Sequence, residues 1–140
     1  MNCDIFLSYS VHDRRAATRL RFILEYYGLS PWPNHIMTPG TREWLDNYQA
    51  VMDTACCALL LLSPTTMDSA WVALMLDYAH THHIPVMPLL VSGKADHILL
   101  ATLNGNGDDW FDLRWNSRYL SEVRALIRWI DLCAQHIAVR

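Results

Sequence analysis

Cys56-Cys57-Ala58-Leu59-Leu60-Leu61-Leu62-Ser63, closed by Pro64, is the stretch on which the fold turns. It is far too short for a bilayer, which takes about 20 apolar residues in a helix. An unbroken apolar run bounded by a turn signal reads as a strand covered on both faces, as at the centre of a parallel sheet. Beyond the loop Pro64–Asp68, Ser69 is placed to cap a helix that runs to about His83. Trp71, Met75, Tyr78 and Ala79 fall on one stripe of that helix, with Val72 and Leu76 beside it. In open α/β folds the ligand crevice forms at such junctions, outside the carboxyl ends of central strands.

Toward the amino terminus, Asp4–Ser8 reads as a strand that turns through Ser8–Asp13 into a helix from about Asp13 to Tyr27. Ser10 and Asp13 fit a loose capping box. Ala16, Ala17, Leu20, Ile23, Leu24 and Tyr27 give that helix an apolar face, and Gly28 stops it. Leu29–Trp32 is a short strand in which Pro31, with Pro33 just beyond, denies ladder hydrogen bonds and suits an edge. After a loop from Asn34 to Gly40, Thr41 caps a helix over Arg42–Thr54, with Trp44, Leu45, Tyr48 and Val51 or Met52 inward. On the carboxyl side, Ile84–Val91 is a strand whose Pro85 and Pro88 argue for an edge or a bulge. Asp96–Leu103 suggests a short helix, Asn104–Asp109 a turn, and Trp110–Leu113 a last short strand. Asn116 or Ser117 opens a final helix to about Ala134, with Leu120, Val123, Leu126, Ile127 and Ile130 inward. Strands alternating with helices in this way imply a parallel sheet covered on both sides.

At 140 residues the chain amounts to one domain, either a whole small protein or the amino-terminal part of a longer one. Eleven basic against 14 acidic residues, a net charge of −3, leave no bulk electrostatic case for nucleic acid. Arg14, Arg15, Arg19 and Arg21 read as the solvated face of the first helix, with an anion or partner surface as the alternative. Cys3, Cys56, Cys57 and Cys133 show no CxxC spacing, and neighbours on a strand face opposite ways, so Cys56 and Cys57 are not expected to pair. Four reduced thiols and a cytoplasmic setting follow as the expectation. Neither a signal peptide nor a stretch of membrane-spanning length is visible, and no membrane partner is expected.

Several chemistries lack their motifs. No GxGxxG or GxxxxGK[ST] follows a strand. His80, His82 and His83 sit at a helix end without HExxH spacing or a matching carboxylate, so no metal is expected. Ser63 and Ser69 lack a GxSxG elbow. Of the six tryptophans, Trp44 and Trp71 read as core, and Trp32 as the candidate exposed aromatic contact.

Five motifs in order carry a family resemblance. Asp4-Ile5-Phe6-Leu7-Ser8-Tyr9-Ser10 with His12-Asp13, Pro39-Gly40 followed by Trp44, Leu61-Leu62-Ser63-Pro64, Ser69-Ala70-Trp71-Val72, and Pro85-Val86-Met87-Pro88-Leu89 resemble the Toll/interleukin-1 receptor (TIR) domain. The resemblance runs from about Asp4 to Leu132, and the wording is more similar to bacterial members than to animal receptors. It implies an α/β, flavodoxin-like three-layer fold with a five-stranded parallel sheet of order 2-1-3-4-5.

Two activities go with that resemblance. One is homotypic assembly in immune or antiphage signalling, with other TIR domains and a fused or partner effector or sensor module as partners. The contact loop implied here comprises Trp32, Asn34, His35, Pro39 and Gly40. The other is cleavage of the nicotinamide–ribose bond of NAD⁺, with Ser8, Tyr9, Ser10, Trp71 and Met75 at the implied ligand positions. The family's glutamate stands four residues after its tryptophan, and here that position is Met75. A carboxylate can stabilise the positive charge that develops on the ribose, and methionine cannot. The expectation is an assembly domain that has lost NAD⁺ cleavage, with no cofactor assigned and NAD⁺ kept open as a substrate or ligand. The alternative is an NAD⁺ glycohydrolase or cyclase with a relocated acid at Asp68 or His12. A third reading keeps the crevice as a nucleotide sensor without turnover.

Overall fold

The structure, a computed structural model, describes residues 4–34, 37–96, 99 and 110–138. Its strands are β1 (Asp4–Ser8), β2 (Ser30–Trp32), β3 (Ala55–Leu62), β4 (Val86–Leu90) and β5 (Phe111–Asp112). Its helices are α1 (Arg14–Tyr26), α2 (Arg42–Thr54), α3 (Ala70–Thr81) and α4 (Tyr119–Ala138). All strand pairs are parallel, and the sheet order is β2-β1-β3-β4-β5, as expected for the flavodoxin-like arrangement.

Every residue of β3 is buried. The pleat sends Cys57, Leu59 and Leu61 into one layer with Leu20 and Leu24 of α1 and Val123, Leu126 and Ile130 of α4. Ala58 enters the opposite layer, with Trp44 and Met52 of α2 and Met75 of α3. Each large aliphatic side chain so buried stabilises the fold by about 1.5–3 kcal/mol before the entropy of ordering it. The apolar run therefore holds both layers at once.

Caps and stops follow local chemistry. Thr41 accepts a hydrogen bond from the Trp44 N–H at 3.4 Å, and Ser69 from the Val72 N–H at 3.3 Å. Gly28 ends α1 at φ 82°. The capping box forms only in part: Ser10 Oγ accepts from the His12 N–H at 3.2 Å, but Asp13 makes no cap and bonds Ser63 instead.

Several expectations are corrected. β4 lies inside the sheet, between β3 and β5. Its interior Pro88 is tolerated because β5 starts opposite Leu89, one step later, on the side to which the alternation from Leu90 directs Pro88. The final helix runs on to Ala138, and Leu120 is exposed while Tyr119 turns inward. Leu45 and Tyr27, assigned to inner faces, are exposed as well. Arg21 is no part of a solvated face. It is 4 % exposed, its Nε donates to the Pro33 carbonyl at 3.1 Å, and it hydrogen-bonds Tyr9.

Cys56 is disulfide-bonded, against the expectation of four reduced thiols, because bonding between residues remote in sequence is decided by the fold and not by spacing. Cys57 and Cys133 are reduced. Most of the helix suggested over Asp96–Leu103 and the Asn104–Asp109 turn lie outside the described residues. Among the described residues no helix is long and apolar enough to cross a membrane.

Candidate functional site

β1 and β3 are neighbours, yet β1 feeds α1 on one side of the sheet and β3 feeds α3 on the other. Their outgoing loops diverge at the carboxyl edge and leave a crevice, as expected at a topological switch point. A cavity of about 260 Å³ lies there, lined by Ser10, Val11, His12, Thr65, Asp68, Ser69, Ala70 and Trp71.

A chain of hydroxyls ties the two loops together. Ser63 donates to Asp13 Oδ2 at 2.5 Å, Ser63 and Thr65 hydroxyls lie 3.0 Å apart, and those of Thr65 and Ser10 lie 2.9 Å apart. An ionised carboxylate only accepts, so the single Ser63 proton goes to Asp13. Thr65 must then donate to Ser63, and Ser10 to Thr65. The chain thus has a direction, from the cavity wall inward to the carboxylate. Below it, Thr66 Oγ1 accepts from the Ser63 N–H at 2.8 Å and donates to the Leu61 carbonyl at 3.2 Å, locking the end of β3.

The other wall is aromatic. Trp71 lies 6.3 Å from Trp44, which stacks on Tyr48 at 4.7 Å and stands 6.2 Å from Trp32. Gly40, at φ 86°, presses on Trp71 so closely that a Cβ there would lie 2.0 Å from the indole. Trp44 Nε1 is buried with no hydrogen-bond partner among the described residues.

The structure brings together Ser10, His12, Asp68 and Trp71 and leaves the other candidates out of the cavity. Met75 is fully buried in the apolar cluster that contains Phe6, Trp44, Tyr48 and Met52, and does not line it. Ser8 is buried at the end of β1. Tyr9 turns into the α1 layer, where burial pushes its phenol pKa up, opposed by Arg21 and Arg14. Trp32 is half-buried against Phe6 at 5.2 Å, and so is not the exposed contact anticipated. Asn34 is exposed, Pro39 buried and Gly40 half-buried, while His35 lies outside the described residues.

Val11, Thr65 and the Asp13–Ser63 pair were not anticipated. Hydroxyl pairing between loops some 50 residues apart leaves no periodic signal, although Ser63-Pro64-Thr65-Thr66 is rich in hydroxyl groups. Also unanticipated are Phe22 and Tyr26 of α1, 76 % and 83 % exposed, whose four-residue spacing on the polar side of the helix was the available clue. Among the described residues no group of three His, Cys, Asp or Glu could hold a metal ion.

Solved structures share this fold at low identity. The TIR domain of the Toll-related receptor TRR-2 from Hydra magnipapillata superposes with a TM-score of 0.70 at 19% identity, over 91% of this chain and 97% of that one. The TIR domains of the activated Roq1 resistosome, which directly recognises the pathogen effector XopQ, give 0.65 at 13%, over 91% and 99%. The Clostridium botulinum CMP N-glycosidase BcmB gives 0.62 at 15%, over 88% and 98%. A search of curated protein sequences finds no match. The family profile of the TIR domain matches residues 5–132, nearly the whole chain, and with the 2-1-3-4-5 sheet and its crevice this protein belongs to the TIR-domain family.

Proposed function

We propose that this chain is a TIR-type assembly module that acts by association with other TIR domains and carries no NAD⁺-cleaving chemistry of its own. The observation that carries this reading is Met75. It occupies the position four residues after Trp71, supplies no charge, and is sealed in an apolar cluster away from the cavity. The signalling part is supported by family membership and by the likeness to the TIR domains of a resistosome. Candidate contact surfaces are the loop from Asn34 to Gly40, anchored on Trp71, and the exposed Phe22 and Tyr26 of α1. The test is to incubate the purified chain at high concentration with NAD⁺, follow nicotinamide release, and measure light scattering across protein concentrations in parallel. No nicotinamide and a mass that rises with concentration are expected. Turnover by the natural sequence overturns the non-enzymatic reading, and a strict monomer at every concentration overturns the assembly.

One observation favours the rival reading of an NAD⁺ glycohydrolase or cyclase. Asp68 and His12, the two candidates for a relocated acid, both line the cavity with Trp71. If nicotinamide is released, Asp68→Asn and His12→Asn separate the roles: the variant that abolishes turnover marks the group that stabilises the developing charge.

A further inference from the structure

Two thiols face each other where the central strand meets the last helix. Cys57 pairs in register with Ile5 and, with Leu59 and Leu61, lies on the face of β3 covered by α1 and α4, where it is fully buried. Cys133 extends the inward stripe of α4 formed by Val123, Leu126 and Ile130, and is half-buried. The two side chains enter the same packed layer close enough to influence each other, and both are reduced. Neither takes part in the crevice or in the assembly surfaces described above.

We propose that Cys57 and Cys133 form an oxidation site, which a hydroperoxide closes to a disulfide joining β3 to α4. The two sulfurs are unequal. Cys133 is the more accessible and meets the oxidant first. The Cys133 contact and burial push the Cys57 thiol well above its ordinary pKa, so it remains protonated and resolves the intermediate in a slower second step.

In the first step the Cys133 thiolate attacks one peroxide oxygen. The O–O bond breaks, the departing hydroxide takes up a proton as water, and Cys133 becomes a sulfenic acid. In the second step the Cys57 sulfur attacks the sulfenic sulfur. The S–S bond forms, the S–O bond breaks, and the hydroxyl leaves with the Cys57 proton as a second water. Two thiols together lose two electrons and two protons, and the peroxide gains both.

The test treats the folded chain with a small molar excess of hydrogen peroxide at neutral pH, followed by alkylation, digestion without reduction and mass spectrometry. The expected product has lost the mass of two hydrogens and yields a linked Cys57–Cys133 peptide. Under the same dose Cys133→Ser keeps its mass. Cys57→Ser stops at a sulfenic acid on Cys133 that dimedone captures. Should Cys57→Ser fail to fold, the natural chain and Cys133→Ser still decide. Oxygen added to Cys133 with no cross-link, a new link through Cys56, or two thiols unchanged by the oxidant would each overturn the proposal.

Discussion

Replacing Gly40 by alanine puts a methyl group 2.0 Å from Nε1 and Cε2 of Trp71, at a backbone φ of 86°. Two penalties combine. A side chain in the left-handed region costs about 1–2 kcal/mol, less about 0.4–1 kcal/mol returned by the stiffer unfolded chain. The indole must also retreat by about 1.5 Å to reach an ordinary carbon contact, and overpacking of this kind costs about 1–3 kcal/mol. Its freedom to move is limited by packing, with the Trp44 ring 6.3 Å away. Gly40→Ala should therefore lose about 2–4 kcal/mol, or roughly 6–12 °C in Tm for a domain of this size. Circular dichroism followed through thermal and urea unfolding measures it. A double-mutant cycle with Trp71→Ala separates the two penalties: without the indole, Gly40→Ala should cost only about 1 kcal/mol. An equal cost in both backgrounds, or a cost below about 0.5 kcal/mol in the natural one, refutes the packing argument.

Met75→Glu buries a carboxyl in an apolar cluster and should destabilise by about 3–5 kcal/mol at neutral pH. Because the folded pKa would be raised, the loss should shrink as pH falls toward about 4.3, a slope that Met75→Gln lacks; urea titrations across pH check this, and a flat profile would mean that the side chain reaches water. His83 follows the end of α3 at φ 55°, where glycine is favoured, so His83→Gly should gain about 0.5–1 kcal/mol in thermal unfolding. Hydrogen bonds from Arg114 hold the Asp112 carboxyl below its usual pKa, aided by the charges of Arg114 and Arg118 and opposed by burial. That contribution is complete above the ordinary carboxylate pKa and is lost as pH falls through the lowered value, below about 4. Asp112→Asn should therefore flatten the acid limb of the stability curve while leaving its shape above pH ~5 unchanged.

The scaffold was legible wherever one local rule decided an element. β3 needed no choice of face because both of its faces are buried. α1 and α2 showed helical periodicity, and Thr41 and Ser69 showed cap chemistry. Several misreadings share a cause, which is that the deciding partner is remote in sequence. Pro88 is acceptable inside the sheet only because β5 starts one step later, opposite Leu89. Arg21 looked like one of four surface cations, but its contacts are the Pro33 carbonyl and Tyr9. The cavity was legible at Ser10, His12, Asp68 and Trp71 through motif resemblance, and illegible at Thr65, whose role depends on Ser10 and Ser63. Met75 shares a helical stripe with Trp71 but lies four residues, about 6 Å, farther along the axis. Trp71 thereby reaches the rim while Met75 packs against α2.

The two borders of the sheet limit how copies of this domain can meet. β2 contributes three residues, one of them Pro31, and β5 contributes two. A strand arriving at either border would find few backbone donors and acceptors in line, so continuation of the sheet from one molecule into the next gains little. Any association between copies is thereby left to side chains on loops and helices. Such contacts can be changed one residue at a time without disturbing the strand ladder, and they come apart without unpairing it. Copies assembled in the way proposed above would join and part reversibly, without the near-permanent cross-strand stacking that long bare borders invite.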